Sequence, residues 1–273
     1  MPVVKLNGVR LSYQATGTGE LVVLVMGTGS SGRVWQLHQV PALVAAGYRV
    51  ATLDNRGIPP SDECVAGMTI DDLVGDTAAL IEHLGDEPAR VLGTSLGSRV
   101  VQELALARPD LVLQAVMMAA HGRTDPVQSM LSAGERALYD TGVELPAPYY
   151  AAVTALQNLS PRTLHDRAAA QDWLDLFEFS GSRISRGERA QLELADFPDR
   201  LADYRRITVP SLVIGFADDL MIPPYLAREV AEAIPGARYE EVEGCGHYGY
   251  LERPTEVNEL ILKFFAVTSD VEA

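Results

Sequence analysis

Short apolar runs of strand length alternate along this chain with longer segments of helical periodicity, and that alternation admits few folds. LVVLVM (residues 21–26) is a continuous apolar run, as expected of a strand buried on both faces. YRVATLD, ARVLG and VLQAVMMAA follow as strands. Between them lie helical patterns from about Trp35 to Ala46, from the Thr69 N-cap with its acid at Asp72 to about Leu84, and from Leu96 to Ala107, the last stopping before Pro109. VVKL and VRLSYQA open the chain as an antiparallel pair turned at Asn7-Gly8. From about Arg123 to Arg206 the patterns are helical throughout. Strands resume at SLVIGFA and ARYEEVE, with helices after Pro223 and Pro254, and TSDVEA reads as a frayed tail. The expectation is an α/β fold: a mostly parallel, doubly wound sheet of about eight strands, formed by residues 1–122 and 207–273. Residues 123–206 are expected to form a helical lid over the carboxyl ends of the strands, where open α/β sheets bind ligands.

A formal charge of −15 argues against nucleic acid or an anionic membrane as partner. The start lacks the basic region and apolar stretch of a signal peptide, and no window approaches the ~20 apolar residues of a membrane span. Cys64 and Cys245 are too few for a disulfide framework and read as free thiols, so the expected location is the cytoplasm. The expected partner is a small-molecule substrate, and a homo-oligomer is compatible with the sequence. No His, Cys, Asp or Glu cluster has metal spacing, GTGSSG lacks the Lys-Ser/Thr of a phosphate loop, and no dinucleotide fingerprint is complete. Neither metal nor cofactor is expected.

Gly93-Thr94-Ser95-Leu96-Gly97 is G-x-S-x-G between a strand and a helix, the context in which a sharp turn exposes a nucleophilic serine. A serine hydroxyl needs a neighbouring base. His38 and His83 fall in helices, His165 lies in the lid, and His121 follows a strand end where it can line the pocket. His247 sits in EGCGHYGYLERP, on a glycine-rich loop after the last strand, and is the candidate base. Its carboxylate comes from GFADDLMIPP, as Asp218 or Asp219. Leu96 N–H, directly after the serine, is the first oxyanion donor, and the second comes from the loop after LVVLVM.

VVLVMGTGSSGRVW, RVATLDNRGIPPSD, VLGTSLGSRVV, DDLMIPP and GCGHYGYLERPTEV together resemble the α/β-hydrolase fold superfamily. The resemblance is to its lidded, cofactor-free branch of esterases, meta-cleavage hydrolases and non-haem haloperoxidases, and it covers nearly the whole chain outside the lid. It implies a Ser95, Asp219, His247 triad, since the family's acid commonly stands four residues before a proline, as Asp219 does before Pro223. It implies Thr28 N–H as the second oxyanion donor, with Gly27 as rival. Family members usually read His-Gly where this chain has Met26-Gly27. The family's D-x-R-G turn, here Asp54-Asn55-Arg56-Gly57, is structural. A serine in the elbow, rather than aspartate, sets the chain apart from epoxide hydrolases and haloalkane dehalogenases.

Such a set is suited to acyl transfer, and the expected activity is serine hydrolysis of a small organic ester, thioester, lactone or C–C ketone through an acyl-enzyme on Ser95. The alternatives are a non-hydrolytic elimination, cyclisation or acyl transfer on the same scaffold, and a ligand receptor. Tyr149, Trp173 and Phe177, within a lid that also carries Tyr139, Tyr150, Leu174 and Phe179, are the aromatic candidates for lining the pocket with Met26 and Gly27.

Overall fold

Asn7 and Gly8 adopt left-handed φ values of 45° and 80°, the turn that folds β1 (Val3–Leu6) back on β2 (Val9–Thr16). The computed structural model describes residues 2–64, 67–85, 88–181 and 184–267, and the TSDVEA tail lies outside the described residues. The strands that follow are β3 (Leu21–Val25), β4 (Arg49–Asp54), β5 (Ala89–Thr94), β6 (Val112–Met118), β7 (Ser211–Phe216) and β8 (Arg238–Val242). Among the described residues they form one eight-stranded sheet in the order β1-β2-β4-β3-β5-β6-β7-β8. The first two pairings are antiparallel and the rest parallel. From β3 the chain moves to one side into β4, then crosses back to β5 on the other. The crevice at that reversal, beyond the strand ends, is the place for a ligand.

The helices before the insertion are α1 (Gln39–Ala45), α2 (Ile70–Leu84) and α3 (Leu96–Ala107). The single helix expected over 35–46 is instead a 3-10 turn, Gly32–Leu37, followed by α1. Pro41 has no N–H to donate back to residue 37, so an unbroken helix would lose a bond there. Thr69 caps α2 as a full capping box with Asp72.

After β6 the chain is helical until β7: α4 (Pro126–Thr141), α5 (Ala147–Asn158), α6 (Pro161–His165), α7 (Arg167–Ser180), α8 (Arg186–Leu192) and α9 (Leu201–Tyr204). α10 (Pro224–Ala233), α11 (Gly249–Glu252) and α12 (Pro254–Phe265) complete the chain. One core lies between the sheet and α2, α3 and α10, the other between the sheet and α1 and α12. β3, β5 and β7 are buried along their whole lengths, which is why β3 reads as an unbroken apolar run and the other two are apolar through their centres. Among the described residues no helix is long and apolar enough to cross a membrane.

Candidate active site

Ser95 directly follows β5 and is the N-cap of α3, with φ 55° and ψ −121°, a conformation that costs a side-chain-bearing residue about 1–3 kcal/mol. Two glycines make the turn possible by close approach. A Cβ on Gly93 would run into the Gly97 carbonyl, and one on Gly97 into the Val25 carbonyl. The elbow is thereby pressed between its own helix and β3, and Ser95 N–H donates to Met118 O at 3.1 Å. The side chain is left facing a cavity of about 1290 Å³ that Leu96, Met26, Gly27, Thr28, His121 and His247 also line.

His247 follows β8 and is only 8 % exposed. Its Nδ1 is 2.8 Å from Asp219 Oδ2, so the carboxylate paired with the ring belongs to Asp219. Asp219 is fully held. Its Oδ1 accepts from Met221 N–H and Ile222 N–H, each at 2.8 Å, which leaves Oδ2 to face the ring. Asp218 is only partly buried, and its backbone N–H donates to Cys245 O, which ties the β7 loop to the histidine loop. Cys245 itself is buried, its thiol donating to Val242 O, and burial pushes its pKa well up, so it is an inert thiol.

The loop after β3 is braced from three sides. Asn55 donates to Met26 O at 2.9 Å, Asp54 accepts from Ser31 Oγ and Gly32 N–H, and Gln191 of α8 accepts from Gly29 N–H at 2.9 Å. A Cβ on Gly27 would stand 3.3 Å from Ser95 Cβ and 3.8 Å from its Oγ, so this backbone lies directly against the hydroxyl. Thr28 lies beside it on the cavity wall. The apolar Met26 is 1 % exposed, and its carbonyl is what Asn55 holds. In the D-x-R-G turn, Arg56 pairs with Asp76 and Asp72 of α2, away from the hydroxyl, in keeping with a structural part.

His121, just past β6, lines the cavity and is 5 % exposed. Burial, with the Arg99 cation and His247 adding to it, pulls its pKa down to about 3, so its ring is neutral. Of the insertion's aromatics, Tyr139, Tyr149 and Tyr150 line the cavity. Trp173 and Phe177 do not, which corrects the expectation for both. They pack with Ala151, Ala155, Leu159 and Leu174 between α5 and α7, because the apolar stripe of α7 is spent on its neighbouring helix. Both rings also touch Tyr248, at 6.1 and 6.2 Å between centroids, so they reach the site only through the residue after His247. Phe179 points outward and is 91 % exposed.

Four lining or bracing residues escaped sequence reasoning: Arg99, Gln191, Tyr248 and Glu252. Glu252 accepts from Gly246 N–H at 2.6 Å and from the Ser160 and Thr163 hydroxyls, joining the histidine loop to the start of α6. Glu135 and Glu188 of the insertion face the same cavity. Burial, with Glu135 nearby and against a hydrogen bond from Ser185 N–H, pushes the Glu188 carboxyl up to about 7.

Known proteins share this fold. The family model described as alpha/beta hydrolase fold matches residues 20–254. The solved structure of Rv0554 from Mycobacterium tuberculosis is 48 % identical and superposes with a TM-score of 0.92, covering 95 % of this chain and 94 % of that one. A bromoperoxidase from Bacillus anthracis is 25 % identical at a TM-score of 0.81, covering 97 % of this chain and 99 % of that one. The 2-hydroxy-6-oxononadienedioate/2-hydroxy-6-oxononatrienedioate hydrolase of Paraburkholderia phymatum is 28 % identical over 270 residues, 93 % of this chain and 90 % of its own. With the family model spanning most of its length and both cores intact around the elbow, the chain belongs to the α/β-hydrolase fold family.

Proposed function

We propose that the protein is a serine hydrolase of small organic molecules, working through an acyl-enzyme on Ser95. The observation that carries this reading is the buried His247–Asp219 pair at 2.8 Å, whose histidine lines the same cavity as a serine held in a strained elbow. With Nδ1 engaged by the carboxylate, Nε2 is the ring position left to take the Ser95 proton. Ser95 Oγ bonds to the substrate carbonyl carbon, and the oxyanion is stabilised by the N–H groups of Leu96 and Thr28. Collapse breaks the bond to the leaving group, which takes the proton back from His247. Water, deprotonated by the same ring, then releases the acid and frees the serine. The helices between β6 and β7 serve as a lid whose wall selects the substrate. The two free thiols, Cys64 and Cys245, suit a reducing compartment, so we place the protein in the cytoplasm.

Incubation with a fluorophosphonate followed by intact-mass measurement tests the nucleophile. One adduct per chain is expected on Ser95, absent from Ser95→Ala and slowed about 10³-fold or more in His247→Ala. Labelling elsewhere, or an unlabelled folded protein, would reject the reading. Product mass separates hydrolysis from elimination or acyl transfer, because only hydrolysis adds the elements of water.

A further inference from the structure

Arg99 lies in the first turn of α3, and its backbone N–H donates to Ser95 O at 3.1 Å. Its side chain lines the cavity but is only 7 % exposed. A guanidinium buried that far is ordinarily paired with a carboxylate. The carboxylate one turn further on, Glu103, is taken: Arg200 grips it with two hydrogen bonds, at 2.9 and 2.8 Å, and Tyr204 O–H donates to it at 3.0 Å. Among the described residues no carboxylate pairs with Arg99. Its Nη1 donates to Leu194 O, its guanidinium carbon stands 3.7 Å from the centroid of the Phe197 ring, and its Nε has no partner.

His121 completes the picture. Its ring lies 5.1 Å from the same Phe197 ring, its Nε2 is 3.3 Å from Gln128 Nε2, and its buried Nδ1 is also without a partner. Two nine-tenths-buried side chains on the wall of one cavity thus each keep an unmet polar nitrogen. Buried polar groups are nearly always satisfied, and exceptions cluster where a ligand supplies the missing partner. The face of the guanidinium is covered by Phe197 and one nitrogen is committed to Leu194. What remains is the in-plane edge of Nε and Nη2, with Nη2 making no hydrogen bond among the described residues, and this is the edge that suits a planar carboxylate.

We propose that Arg99 and His121 form a subsite for a substrate carboxylate, so that the compound cleaved at Ser95 is an acid with its carboxylate a few bonds from the scissile carbonyl. Glu135 and Glu188 on the same cavity, and a chain charge of −15, disfavour a second anionic group, so the substrate is a monoacid. The cleavage step rests on the serine-hydrolase reading; the binding step does not.

Matched ester pairs test it. 4-Nitrophenyl hemiglutarate against 4-nitrophenyl valerate places the charge on the acyl side, and 4-acetoxybenzoate against 4-acetoxybenzamide places it on the leaving group. The wild-type protein is expected to prefer the acid in at least one pair by kcat/KM, and Arg99→Met to lower that preference about 10- to 100-fold, with Arg99→Lys between. Equal loss for both members of a pair would make Arg99 a strut between α3 and the insertion and overturn the subsite, as would no preference in the wild type. Calorimetry of 4-phenylbutyrate against 4-phenylbutyramide, on unaltered protein, needs neither turnover nor a folded variant. Tighter binding of the acid supports the subsite even if no ester is cleaved and no fluorophosphonate reacts, an outcome that would remove the serine-hydrolase reading alone. Equal binding of acid and amide overturns the subsite.

Discussion

A single residue shows the conflict between folding and chemistry most directly. Ser95 holds a left-handed φ of 55°, where a Cβ is disfavoured and glycine is not. Ser95→Gly is therefore expected to abolish fluorophosphonate labelling and yet raise stability by about 1 kcal/mol, a gain in melting temperature of about 2–4 °C. Ser95→Ala keeps the Cβ and should be equally inactive without the gain. If both variants melt together, the elbow is relaxed and its geometry is not being held for the hydroxyl. Two residues on, the opposite result is expected. Gly97→Ala would set a methyl against the Val25 and Met26 carbonyls at the end of β3 and just past it, backbone that cannot yield as a side chain end can. A loss of about 2–3 kcal/mol follows from such overpacking, read as a lower urea midpoint. An unchanged midpoint would mean that α3 does not press on β3 as described.

Elements decide whether the histidine is in place. Gly246 N–H and the Ser160 and Thr163 hydroxyls all end on the Glu252 carboxylate, and Tyr248 N–H donates to Asn158 O at 3.1 Å, so α5, α6 and α11 clamp the loop that carries His247. Glu252→Ala removes the common acceptor. A stability loss of about 2–3 kcal/mol is expected from the orphaned donors, together with a fluorophosphonate labelling rate about tenfold lower from a displaced ring. Lower stability with an unaltered rate would restrict Glu252 to folding. Sequence showed the strand-to-helix elbow, the histidine loop and the acid's strand end, because each is local: a period, a glycine or a spacing to proline. It did not show Glu252, Gln191 or Arg99, whose partners Ser160, Gly29 and Leu194 lie 92, 162 and 95 residues away. Nor could it show which surface the apolar stripe of α7 would cover. An amphipathic pattern specifies that a face is buried and leaves its neighbour open, which is why Trp173 and Phe177 were expected in the pocket and instead pack on α5.

For the whole molecule, two groups facing one cavity, buried His121 and half-buried Glu188, give stability opposite dependences on pH. The His121 pKa falls from 6.5 to about 3 on folding, chiefly through burial, with Arg99 and His247 adding to it. Below pH 6.5 the unfolded chain binds a proton that the native ring refuses, so stability drops on acidification, by about 2 kcal/mol at pH 5 from this residue. The Glu188 pKa rises from 4.5 to about 7, again chiefly through burial, with Glu135 adding to it. There the native state holds the proton more tightly, so its contribution is present below pH 4.5 and is lost as pH rises through 7. Partial solvent access limits that loss to about 1–3 kcal/mol. Between pH 4.5 and 6.5 the two oppose each other; above 7 both contributions are flat. The melting-temperature difference between Glu188→Gln and wild type should therefore grow more positive from pH 4.5 to 8, while that between His121→Gln and wild type should grow more positive from pH 8 down to 5. Reading differences cancels the packing cost of each substitution, which does not vary with pH. Parallel pH curves for wild type and both variants would place these protons on other groups.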